Sequence, residues 1–265
     1  ALSSGAGTIT ASSITDGASS FALTLGVGSQ SGKVTFTDNV TIDTLNTIAS
    51  DYDIEFQGSA NEITTATTFQ NTGDITFGNE STDAITFING LTATAAGGVN
   101  VSGTVASSGT SGVILGDADT PVYVNANSTI GGSGTGTLDL GDVILVDDAT
   151  LVVGTGVANT VNLDSVLGAA GNGQSNLAIN TTGSVNVAES IRTDIGTVTI
   201  TQSGGTTFAD TVEATTVTLT DTTGTIAFQG NLTAGSLNTA SQDYNVSLTG
   251  SSNTITNDVS FVNTG

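Results

Sequence analysis

The segment "GDADTP" holds the two residues best spaced to do chemistry, Asp117 and Asp119. In an extended backbone, residues i and i+2 share a face. The pair could therefore offer oxygen ligands to Ca²⁺, or serve as glycosidase carboxylates, which stand about 5 to 9.5 Å apart. The Asp-Thr-Pro context reads as a turn, and a solvated corner is the simpler account of two acids there. Asp147 and Asp148 are adjacent, so in a strand they point to opposite faces and cannot cooperate. The stretch "GGSGTGTLDL", residues 131–140, opens like the calcium-binding pattern G-G-x-G-x-D-x-U-x with Gly131, Gly132 and Gly134. Gly136 then stands where Asp is required, and nothing recurs at nine residues. The chain has no His and no Cys, which removes the commonest general base, thiolate chemistry, zinc fingers and disulfides. We therefore expect no catalytic residue and no cofactor, with Asp117 and Asp119 as weak Ca²⁺ candidates at most.

The charge balance narrows the partners. Of 265 residues, 24 are acidic and only Lys33 and Arg192 are basic, a formal charge of −22. Two cations cannot form the patch that releases counterions from phosphates, which excludes nucleic acid. They cannot form a polybasic membrane contact either. There is no apolar run of about 18 residues, so membrane insertion by a helix is not expected. Roughly one residue in five is Thr, yet the 37% hydrophobic content is arranged in short alternating runs, a pattern that a disordered polar chain lacks. An acidic chain without Cys or Met, rich in Thr, Asn and Gly, suits a place outside the cell, and a start without Met reads as processed or internal.

What could position these residues is decided by repetition. Residues 34–73 lie without a gap over residues 226–265, an offset of 192, with 17 of 40 positions identical. The shared residues include Phe36/Phe228, Tyr52/Tyr244, Asn61/Asn253 and Gly73/Gly265. Composition alone gives about four matches. A shorter period runs inside the long one. Lines starting at Ser184, Thr206, Thr225 and Asn245 are 19 to 22 residues long, and near the start of each stands an apolar residue: Val187, Phe208, Phe228 and Leu248. Lines from Lys33, Asp53 and Ala84 fit the same layout, which aligns Phe36, Phe56 and Phe87.

Within a line the pattern has a period of two. "TVTIT" at 197–201 and "TVTLT" at 216–220 put Val198 and Ile200 on one face and Thr197, Thr199 and Thr201 on the other. Gly, Asn and Asp break the runs every few residues, as corners require. No stretch carries helical periodicity, and Thr, Asn, Gly and Ser are poor helix formers. Two or three short strands in a turn of about 20 residues, stacked on like turns, make an all-β parallel β-helix, a β-solenoid. One turn cannot bury its own inward Val, Ile and Phe; stacking at about 4.8 Å joins them into an apolar column. The chain then holds about 13 turns in a rod about 60 Å long, and 192 residues span nine or ten of them. Residues 1–265 read as a single continuous solenoid segment of a longer repetitive chain.

Other candidates have simpler readings. "SVLGAAGNGQSN", residues 165–176, breaks the rhythm and reads as a loop bulging from a corner. Tyr52 and Tyr244 occupy one repeat position ahead of a strand and read as corner-packing residues, while Tyr123 stands outside that pattern. Asn39, Asn231 and Asn245 open Asn-x-Ser/Thr triplets of the kind chance supplies in a Thr-rich chain. The T-x-T runs resemble the flat face of β-solenoid ice-binding proteins, but the next turn offers "SLNT" at 236–239 and breaks the register.

Turns such as "GTVTITQSGG", "GDITFGN" and "GTIAFQGNLTAGSLNT", without any Cys, resemble the β-strand repeats of bacterial surface and secreted proteins: filamentous-haemagglutinin-type adhesins, autotransporter passengers and rickettsial-type surface antigens. The resemblance covers essentially the whole chain and marks an architecture more than a set of functional residues. It implies a right-handed β-helix displayed outside a Gram-negative-type cell as a stalk, adhesin or matrix fibre. The expectation is a non-enzymatic structural segment of a surface filament that associates end to end or laterally with copies of itself. The alternative is an adhesin binding glycan or host protein through an outer face, with ice binding and polysaccharide degradation behind it. "FVNTG" at 261–265 matches "FQNTG" at 69–73, after which the earlier copy continues, so the stop at Gly265 reads as a cut through a repeating fibre.

Overall fold

The computed structural model describes residues 1–17 and 20–265. All regular structure among them is β. Short parallel strands stack about 22 residues apart into a β-solenoid of about 11 turns. Close contacts group the chain into two units, Ala1–Gly136 and Thr137–Gly265.

In the first unit each of the first four turns lays down three strands, and Val99–Ser107 and Val122–Gly131 then run through two faces as single strands. On one face Ile9–Ala11, Val34–Phe36, Ile54–Phe56 and Ile75–Phe77 pair in sequence, with Ile9, Val34, Ile54 and Ile75 opposite one another. Val99 and Val122 continue that column. On the next face Ile14–Thr15, Val40–Ile42, Asn61–Ile63 and Ala84–Phe87 pair in the same way. The third face carries Ala22–Leu25 on Thr44–Thr47, and Thr67–Thr68, Leu91–Ala93 and Val113–Leu115.

Side chains at one position on successive turns are about 4.8 Å apart, a distance suited to stacked rings. Phe36, Phe56 and Phe77 use it: their ring centroids lie 5.1 and 6.1 Å apart with interplanar angles of 21° and 19°. Phe69 and Phe87 meet Phe77 edge-on at 5.6 and 5.8 Å. All five rings are buried.

The second unit repeats the scheme. Val143–Leu145, Val166–Gly168, Ile191–Arg192 and the first halves of Val212–Leu219 and Leu232–Thr239 form one column. Another face stacks Leu140, Leu163, Val187, Phe208, Phe228 and Leu248 in register. The last four are the residues that the 20-residue lines align, and Phe208 stacks on Phe228 at 4.8 Å. Alternation also holds: Val198 and Ile200 are buried while Thr197 and Thr199 are half-buried and Thr201 is exposed.

Two expectations need correction. Phe87 does not continue the column of Phe36 and Phe56; it pairs with Ile63 on the neighbouring face, and Phe77 takes the aligned place. Turns are longer than 20 residues and correspondingly fewer than 13. The spacing is 20 from Val34 to Ile54 but 24 from Ile75 to Val99 and 25 from Val166 to Ile191. The surplus sits in corners. Residues 78–83 close one of them, where the Asp83 carboxylate accepts from the Asn79 and Glu80 N–H groups at 2.9 and 3.1 Å. At about 22 residues per turn, 192 residues fall short of nine turns. Because Phe56 is the middle ring of its stack, Phe56→Ala should lower stability by about 3 to 5 kcal/mol, read as a fall in the urea midpoint with the far-ultraviolet β signal of the folded state unchanged.

Candidate functional site

The repeated phrase sets its shared residues at corners, and each copy makes the same bonds. The Tyr52 hydroxyl donates to the Leu25 carbonyl at 3.2 Å and accepts from the Ile48 N–H at 3.3 Å. The Tyr244 hydroxyl donates to Leu219 O at 3.2 Å and accepts from the Ala240 N–H at 3.0 Å. Asn61 Oδ1 accepts from the Val40 N–H while its Nδ2 donates to Gly58 O, at 2.9 and 2.7 Å. Asn253 does the same with Leu232 and Gly250, both at 2.9 Å. Asn71 and Asn263 donate to the carbonyls of Tyr52 and Tyr244 at 3.1 and 2.8 Å. The Thr47 and Thr239 hydroxyls accept from the N–H of Gln70 and Val262 at 2.7 and 2.9 Å. Each of these residues ties one turn to the next where the backbone leaves the ladder and its polar groups need other partners. Asn46/Asn238 and Asp51/Asp243 are also shared and lie exposed; the Asn238 amide donates to the Thr218 hydroxyl at 3.5 Å, and nothing in the structure requires the Asp pair.

The residues singled out for chemistry are scattered. Asp117 and Asp119 sit in an exposed corner, where Asp117 Oδ1 accepts from the Asp119 N–H at 3.0 Å as a turn does. Asp147 and Asp148 lie in a turn instead of a strand. Asp147 accepts from the Asn172 and Gly173 N–H groups, both at 2.9 Å, and Asp148 has a φ of 64°. The stretch 165–176 is a loop only in part: Val166–Gly168 keeps its place in the ladder and Ser175–Asn180 opens the next strand, so the corner loop is confined to 169–174, pinned by that carboxylate and by Asp194, which accepts from the Gly171 N–H at 3.0 Å. In "GGSGTG" the glycines are dictated by packing: a Cβ at Gly132, Gly134 or Gly136 would strike the carbonyls of Ser107, Gly109 or Ser111. No group of three or more His, Cys, Asp or Glu able to hold a metal exists among the described residues.

Asn39 and Asn231 have their amide oxygens engaged by the N–H groups of Ala60 and Ser252 at 2.9 and 2.8 Å, so they serve corners. Tyr123 is half-buried and lies opposite Asn100. The threonine array is two turns deep: Thr197 and Thr199 face Thr216 and Thr218, after which Ser236 and Asn238 follow. Lys33 pairs with Glu55 at 2.5 Å, and Glu55 also accepts from Gln57 at 2.9 Å. Arg192 is exposed and stands opposite Leu167 in the ladder.

One concavity is announced by no motif. A groove of about 630 Å³ runs across successive turns of the second unit, from Gln174 at one end past Thr193–Ile195, Glu213–Thr215 and Thr233–Gly235 to Thr256. It forms because Val212–Leu219 and Leu232–Thr239 pass straight through a corner that other turns fill with a loop. Thr193 and Asp194 close its wall with φ values of 61° and 56°, a left-handed conformation that is uncommon outside glycine and an outlier for β-branched Thr. A smaller recess of about 180 Å³ in the first unit is lined by Thr67, Leu91 and Ile114. No protein-family model matches the chain, and no curated protein or solved structure is significantly similar to it.

Two ionisable groups, one at a corner and one on a strand, report the electrostatics of the first unit. Burial pushes the Tyr52 hydroxyl above its ordinary value, against the opposing pull of the Ile48 N–H. Burial alone would also raise Glu55, but hydrogen bonds from Lys33, Gln57 and Thr35 and the charge of Lys33 hold it below the usual carboxylate range. The signs are opposite. Stability from a raised Tyr52 is fully present below the unfolded value of about 10 and is lost as pH rises through the folded one. Stability from a depressed Glu55 is present above its unfolded value of about 4.3 and is lost as pH falls through the folded one. Tyr52→Phe should cost about 1 to 3 kcal/mol at pH 7, because the Ile48 N–H loses its acceptor and the Leu25 carbonyl its donor. Urea titrations should show its deficit against the wild type shrinking above pH 10. The deficit of Glu55→Gln should be full at pH 7 and vanish in acid.

Proposed function

We propose that this chain is a non-enzymatic structural segment of an extracellular fibre or stalk, of the β-strand-repeat kind found in filamentous-haemagglutinin-type and autotransporter-passenger proteins on bacterial surfaces. One observation carries the reading. Across the two copies of the 40-residue phrase, the corner bonds of Tyr52, Asn61, Asn71 and Thr47 recur one for one at Tyr244, Asn253, Asn263 and Thr239. The outward residues drift, with Thr35, Glu55 and Glu62 answered by Ala227, Ser247 and Thr254. A few exposed residues, Asn46/Asn238 and Asp51/Asp243 among them, are also kept, but the bonded set that recurs is the one that holds one turn on another.

Self-association with copies of the same chain is the partner the reading implies. Phe69 is buried under the rings of Phe77 and Phe87 from the turns that follow it, and Phe261 occupies the same repeat position. Burying a Phe side chain is worth about 1.5 to 3 kcal/mol, so a further turn laid over Phe261 would be held there. Sedimentation of the 265-residue chain should show concentration-dependent assembly, and negative-stain micrographs should show filaments. Phe261→Asp should abolish both without changing the melting temperature by more than a few degrees. A chain that stays monomeric and featureless at millimolar concentration would sink the proposal.

A further inference from the structure

We infer that the groove in the Thr137–Gly265 unit binds an extended, hydroxyl-rich oligosaccharide. This goes beyond the fibre reading and does not depend on it. The first argument compares the two copies. Ala234 and Gly235 on the groove floor stand where the earlier copy carries Ile42 and Asp43. In that copy the corner is occupied: Asp43 accepts from the Thr44 hydroxyl at 3.2 Å, and the Thr65 hydroxyl bonds that of Thr44 at 3.1 Å. The later copy keeps the second of these bonds, with the Asn257 amide donating to the Ser236 hydroxyl at 2.8 Å, but Ala234 and Gly235 lack the bulk of Ile42 and Asp43, and a concavity stands there. Emptying a packed corner costs stability, so a segment serving packing alone would tend to refill it. A Cβ on Gly235 would stand 2.6 Å from the Thr215 carbonyl, so a single substitution cannot close the gap.

The second argument is the chemistry of the lining. One wall presents Glu213 and Thr233 opposite each other on successive turns, both exposed, and Thr256 lines the far end. The Gln174 amide reaches across the intervening turn to the Thr215 hydroxyl at 2.9 Å and closes one end. The floor is apolar, with half-buried Ala214 at the surface and Ile195 and Ala234 buried beneath it. Hydroxyl, amide and carboxylate groups spaced by one turn, about 4.8 Å, over a smooth apolar floor suit a chain of sugar rings. Each ring offers hydroxyls to the walls and C–H groups to the floor, and a carboxylate such as Glu213 accepts a hydroxyl proton in a charge-assisted bond.

Other ligands fit less well. A peptide joining as an added strand needs unpaired backbone. Here Glu213 and Ala214 pair with Thr233 and Ala234, which pair in turn with Thr254 and Ile255. Nucleic acid is repelled by the same acidic walls. A bare cation finds only Asp194, already accepting from the Gly171 N–H, and Glu213.

The test uses end-labelled cellohexaose, maltohexaose, mannohexaose and chitohexaose in fluorescence anisotropy against the whole 265-residue chain. At least one should bind saturably. Glu213→Gln and Thr233→Val, at exposed positions outside the core, should each weaken it about fivefold to tenfold, a loss of about one hydrogen bond, while melting temperatures stay at the wild-type value. Weakening by either variant sustains the assignment. No binding of any of the four hexasaccharides, or binding that neither variant changes, overturns it, whatever the micrographs show of filaments.

Discussion

The spacing of about 4.8 Å between hydrogen-bonded parallel strands governs this structure. It places every side chain directly over its counterpart one turn away. What a residue can be is therefore decided by what lies above and below it. Phe36, Phe56 and Phe77 gain from being alike because rings at this distance stack. Acids suffer from the same rule: burial and the neighbouring Asp53 both push Asp74 above the usual carboxylate range. Lys33 relieves one such column by pairing with Glu55. Most other acids face solvent at corners, where water carries their charge and no neighbouring cation is required.

Corners are the second half of the design. A strand ladder satisfies its own backbone, but a chain turning from one face to the next leaves carbonyls and N–H groups that must find partners. Asn, Asp and Thr supply them with short side chains that reach one turn up or down, as Asn61 does to Val40, Gly58 and Ala84. This explains a composition that looks wrong for a packed protein. The polar residues act as the mortar between courses of Val, Ile and Phe.

Much of this was legible before any coordinates. Alternation in "TVTIT" gave inward Val198 and Ile200, and the lines from Ser184 onward gave the register of Val187, Phe208, Phe228 and Leu248, because both depend only on the period of two and the length of a turn. Phe87 misled because "AITF" looks like "VTFT" locally, while face assignment depends on the length of the preceding corner, 78–83, which alternation does not encode. The clamps were visible as identities at Tyr52, Asn61 and Asn71, though not as bonds. The groove was hidden for another reason. It is made by Ala214, Ala234 and Gly235, small residues whose meaning lies in the space they leave.

The Asn61 side chain has a consequence for how such a chain changes over generations. It accepts from Val40 and donates to Ala84, so it holds the turn before it and the turn after it at once. Inserting a single residue would turn an inward face outward and break both holds together. Inserting one whole turn would leave every clamp with a partner of the same kind. The fold therefore tolerates a change of length in discrete steps, one course of the wall at a time, and not in between.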